Sequence, residues 1–89
     1  MNNNPSICIP RVDKNITHKF ICNIINKHQL GEIKKINLIQ IGKFQRVYIN
    51  FKHWYNNEKS LKVKNLLLAK EDFKIMYMHP WYWKCTVVY

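Results

Sequence analysis

The sequence is short of acid. Five Asp and Glu face fifteen Lys and Arg in 89 residues, a formal net charge of +10. Asp13, Glu32, Glu58, Glu71 and Asp72 fall mostly at turns or expected helix ends, where they cap or offset charge, so no pair of carboxylates is set for acid–base work. No Ser-His-Asp or Cys-His set has a catalytic context either, and no enzyme is expected. Arginine is scarce too: Arg11 and Arg46 are the only two. A lysine acts as a point charge where an arginine forms a forked bond, so the composition favours loose backbone contact over base-specific readout. Cys8, Cys22 and Cys85 form an odd set with no close-spaced pair. Free thiols in a reducing compartment are expected, cytoplasmic or nuclear. His18 and Cys22 sit four apart and would share a helix face, but no second pair matches them, so neither a metal nor another cofactor is expected. No apolar run approaches a membrane span. The start, Met1-Asn2-Asn3-Asn4-Pro5, has neither a basic region nor an apolar run, so it does not read as a signal peptide.

What is present is enough for one domain. Hydrophobic residues make up 47% of the chain, which argues against disorder. The positive excess suits a polyanionic partner. Ile, Asn and Lys, all with AT-rich codons, are abundant together, so genome composition accounts for part of the lysine content.

The periodicities predict an alternation of strands and helices. Residues 1–5 read as a flexible polar leader. Ser6 to Val12 alternates with Ile7 and Ile9 on one face, a strand with Pro10 confined to an end or an unpaired position. Asp13-Lys14-Asn15 is a turn. Thr17 caps a helix to about Gln29, with Phe20, Ile21, Ile24 and Ile25 on its buried face and Gly31 as its stop through a positive φ. Glu32 to Ile39 is a strand with Ile36 and Leu38 on one face and Lys35, Asn37 and Ile39 on the other. A turn around Gly42 leads into a strand over Phe44 to Phe51, with Val47, Ile49 and Phe51 inward and Arg46, Tyr48 and Asn50 outward. His53-Trp54-Tyr55 is a packing corner. Asn56 or Asn57 caps a second helix to about Ala69, striped by Val63, Leu66 and Leu67. Phe73 to Met78 is the last strand of the core domain, residues 6–78, with Phe73 and Ile75 inward. Residues 79–89 form an aromatic C-terminal extension. The fold class expected is α+β: a ferredoxin-like βαββαβ sandwich, with two helices on one face of a four-stranded antiparallel sheet.

The stretch Ile16-Thr17-His18-Lys19-Phe20 through Leu30-Gly31-Glu32-Ile33 resembles the first helix and following turn of an RNA recognition motif, and the spacing from Ile7 through Gly31 to Phe51 is similar to that family's. The resemblance covers about Ser6 to Met78. It implies single-stranded RNA read by aromatics on the two central strands. The family's octamer falls on Phe44-Gln45-Arg46-Val47-Tyr48-Ile49-Asn50-Phe51, with Tyr48 and Arg46 at stacking positions and Phe51 at the core aromatic. Its hexamer falls on Ile7-Cys8-Ile9-Pro10-Arg11-Val12, with Cys8 at the aromatic position and Arg11 where the family has Asn. Two of three stacking aromatics are therefore absent, and Arg46 stands in through its guanidinium plane. Acylphosphatases share the fold, but their glycine-rich phosphate loop with a following Arg is missing. More loosely, the composition, the Ser-Ile-Cys-Ile-Pro-Arg-Val start and the Pro-Trp-Tyr-Trp-Lys end are similar to small uncharacterised proteins of large nucleocytoplasmic DNA viruses. That implies a viral source, acting in the host cell or associated with the virion.

The binding surface expected is the free sheet face: Tyr48, Arg46 and Asn50, with Lys35, Asn37, Lys74 and Met76 beside them and Arg11 and Lys43 at the margin. The ligand expected is RNA or single-stranded DNA. The alternative is a protein-interaction or virion-structural module, a homodimer included, contacting its partner through Trp81, Tyr82 and Trp83. The Pro80–Lys84 segment itself admits three roles: packing back over the sheet face or a helix edge, contact with a protein, or contact with a nucleic-acid strand.

Overall fold

A computed structural model describes residues 5–78 and 80–88. The expected leader, apart from Pro5, lies outside the described residues, as do His79 and Tyr89 of the extension. The order of elements is β1 (Ile7–Asp13), α1 (His18–Lys27), β2 (Gly31–Ile41), β3 (Phe44–Trp54), α2 (Glu58–Leu68), β4 (Phe73–Met78) and β5 (Trp81–Val87). The strands form an open antiparallel sheet in the order β2-β3-β1-β5-β4. The α+β class, the two helices and the antiparallel sheet are as the sequence predicts. The strand count and order are not: the sheet has five strands, and it is β5 that lies beside β1. Within the C-terminal segment Trp81–Val87 is a strand, because Trp83, Cys85 and Val87 alternate toward the core. It pairs on both sides, leaving β4 at the edge.

Each helix starts where its cap allows. Thr17 accepts a bond from the Phe20 amide at 3.1 Å. Asn57 and Ser60 form a reciprocal capping box at α2, and Ser60 also donates to the Tyr55 carbonyl. Ile21 and Ile25 of α1 and Val63 and Leu67 of α2 join Ile7, Ile9, Val47, Ile49 and Ile75 in one core between helices and sheet. Trp83 is part of it, stacked on Tyr77 at 4.4 Å and met edge-on by Phe20 at 6.3 Å. Burying an aromatic of this size removes about 150–250 Å² from water, so this cluster fixes β5 to α1.

Gly31 does not stop α1 by a positive φ. Gln29 takes that conformation, φ 55°, and Gly31 opens β2. A Cβ there would lie 2.5 Å from the His53 carbonyl oxygen, so the glycine is needed for close approach of two strands. Gly42, in the expected β2–β3 turn, has a positive φ of 61°. Pro10 sits at an irregularity: the β1–β3 register shifts between Ile9 and Val12, where a residue without an N–H costs no ladder bond.

Candidate nucleic-acid interface

The helices cover the face carrying Ile7, Ile9, Val47 and Ile49, so the alternate residues form the opposite, open face. The register lines them up in rows. Asn37, Tyr48, Cys8 and Thr86 lie side by side across four strands. Lys35 pairs with Asn50, Ile39 with Arg46, and Ile41 with Phe44 on the β2–β3 hairpin. On the far side Lys74 pairs with Lys84 and Met76 with Tyr82. Tyr48, Arg46, Asn50, Lys35, Asn37, Lys74 and Met76 therefore share one surface, as the sequence predicts.

Two aromatics add to it. Phe44, 40% exposed, lies beneath the guanidinium of Arg11 at 4.9 Å, and Tyr82, 48% exposed, lies beneath the Lys74 ammonium at 4.7 Å. A cation over a ring face is held by the ring quadrupole. The signal for Phe44 was in the sequence, because it has the same strand parity as Arg46 and Tyr48. Tyr82 carried no such signal, because its place on the face depends on β5 joining the sheet. The face thus alternates rings with cations: Phe44 with Arg11, Tyr48 with Arg46, Tyr82 with Lys74.

The polar partners grade these residues. Tyr48 beside it, more than any other group, raises the Arg46 guanidinium pKa above its ordinary value, so Arg46 stays charged. Tyr48 itself is half-buried, open on one side. Asn50 accepts a bond from the Ser6 hydroxyl at 2.6 Å, so it ties β1 to β3 as well as facing outward. Lys84 is 3.2 Å from Asp72, which offsets its charge. Lys43 lies in the hairpin turn beyond the strand face.

The Pro80–Lys84 segment does not fold back over the open face, because β5 lies in the plane of the sheet and leaves Tyr48 uncovered by it. Of its three aromatics, Trp81 and Tyr82 are exposed. Trp83 is 4% exposed in the core, so the expectation that it contacts a partner is corrected by its inward parity. Among the described residues no group of three His, Cys, Asp or Glu side chains is placed to hold a metal ion, and no helix is long and apolar enough to cross a membrane. His18 is exposed and Cys22 half-buried.

Comparison with known proteins gives no relative: no family model, curated protein or solved structure matches the chain.

Proposed function

We propose that this chain is a noncatalytic module that binds single-stranded nucleic acid, RNA foremost, on the open face of its sheet. The observation that carries the reading is the interleaving of Phe44, Tyr48 and Tyr82 with Arg11, Arg46 and Lys74 on one uncovered surface. Bases stack on rings whatever their identity, and cations track the phosphates between them. The resemblance to the RNA recognition motif supports the same surface. If β4 is taken as an added edge strand, the remaining order β2-β3-β1-β5 is that of a split βαβ sheet, with the last strand beside the first.

The test is titration of a fluorescent single-stranded RNA of about ten nucleotides, read by anisotropy at several salt concentrations. Single strands lose affinity with a log–log slope of about −0.7 per neutralised phosphate, so Arg11, Lys35, Arg46 and Lys74 together give about −2.8. Tyr48→Ala should weaken binding by about 1–3 kcal/mol, or roughly five- to 150-fold. No complex at about 50 mM salt, or a Tyr48→Ala variant that binds like the parent, removes the proposal.

A second reading rests on Trp81 and Met78, 62% and 60% exposed where β4 meets β5. Large aromatics are favoured anchors at protein interfaces, and these two would serve a protein or virion partner. Trp81→Ala separates the readings: it should abolish protein capture and leave RNA affinity nearly unchanged.

A further inference from the structure

A groove of about 390 Å³ lies on the other side of the β4 edge, bounded by the end of α1, the start of α2 and β4. This is at the small end of the roughly 300–1,000 Å³ range of small-ligand sites. Lys27, His28 and Lys59 line it together with Ile24, Met76 and Met78, and among the described residues no carboxylate does. Lys59 Nζ is 2.7 Å from His28 Nδ1, and His28 Nε2 is 3.0 Å from the Met76 carbonyl oxygen. An ammonium has only protons to offer and a carbonyl only lone pairs, so His28 accepts from Lys59 and donates to Met76. These two contacts together suit one tautomer of the ring. It aims Lys59 without offsetting its charge. Two lysine charges on one concave surface, with aliphatic carbon from Ile24 and Met78 beside them, fit a phosphate joined to a flat, less polar group.

Met76 belongs to both surfaces: it pairs with Tyr82 across the open face and lines the groove. We propose that the groove seats one nucleotide of a strand that crosses the sheet and turns around the β4 edge, with its phosphate between Lys27 and Lys59. This rests on the nucleic-acid reading given above. The register irregularity between Met76 and Met78 bends β4 where the strand would turn.

The test uses the full chain and the double variant K27Q/K59Q, both with exposed lysine positions that leave the core intact. Affinities for a single-stranded RNA of about ten nucleotides and one of about four are measured against salt, and the His28 ring resonances are followed by NMR. For the longer strand the variant should lower the magnitude of the slope by about 0.7, one phosphate's worth. For the shorter strand it should change nothing, and only the longer strand should shift His28 in the parent. Equal slopes for parent and variant, with His28 unmoved while Tyr48→Ala still weakens binding, overturn the groove and leave the sheet reading intact. A parent that binds neither RNA overturns both. A His28 shift produced by adenosine monophosphate but not by the longer strand assigns the groove to free nucleotides and overturns the continuous path.

Discussion

Replacing Gly31 by alanine tests the packing that sets the open face. The new Cβ would stand 2.5 Å from the His53 carbonyl oxygen and 3.0 Å from both Phe51 Cδ1 and the Trp54 Cα. Carbon and oxygen make even close C–H···O contacts only at about 3.3–3.6 Å, so the backbones of β2 and β3 must part by most of an ångström. Two of the three obstacles are backbone, which no rotamer change relieves. Overpacking of this kind costs about 1–3 kcal/mol, and each ladder hydrogen bond lost adds about 1 kcal/mol. Restricting the unfolded chain returns only about 0.4–1 kcal/mol. The net expectation is a loss of about 2–3 kcal/mol, a fall in Tm of roughly 10–20 °C for a domain this size. Trp54 should move with the strand, since its ring lies tilted against Phe51 at 4.7 Å and it donates from Nε1 to the Pro5 carbonyl at 3.1 Å. Urea denaturation followed by tryptophan fluorescence reads the loss. A variant within about 0.5 kcal/mol of the parent would show that the strands do not approach this closely, and the reasoning would fail.

Gln45 is 1% exposed, and its side-chain nitrogen donates to the carbonyls of Asp13 at 3.0 Å and Ile16 at 2.6 Å. Gln45→Leu leaves the Ile16 carbonyl without a donor and the Asp13 carbonyl with only the Ile16 amide, and should cost about 1–3 kcal/mol in the same urea assay; a neutral result would mean that water replaces the amide. Cys85 is pushed up from 9.0 by its burial, so the folded chain holds the thiol proton longer than the unfolded one. Its contribution to stability is complete below the unfolded value and is lost as pH rises above about 9, by up to about 1.4 kcal/mol per pH unit. Cys85→Ala should be less stable near neutrality yet lose less between about pH 8 and pH 10, and parallel losses in the two proteins would contradict this.

Both helices, the β2–β3 hairpin and the parity of Arg46, Tyr48 and Asn50 were legible because each is a local signal: a cap, a glycine turn, an alternation. The β5 strand was not. Trp81, Tyr82 and Trp83 put large rings on both parities, which hides the alternation of Trp83, Cys85 and Val87. Which strand lies beside β1 is also a long-range choice that no local pattern encodes. Gly31 shows a different ambiguity. A glycine after a helix serves equally for a left-handed residue or a close approach, and only the position of His53 decides. The groove of Lys27, His28 and Lys59 was invisible for the same reason, since its residues come from three separate elements.

The seam between β1 and β5 is short. Its paired residues are Ile7 with Val87 and Cys8 with Thr86, extended by a bond from the Val88 amide to the Ser6 carbonyl. Beyond it Pro10, Arg11 and Lys84 border a recess where the ladder has lapsed. The sheet is thus two panels, β2-β3-β1 and β4-β5, joined along a narrow crease. A long polymer laid across both panels bridges that crease and braces it, whereas a ligand confined to one panel leaves the crease held by its short ladder and the shared core beneath it.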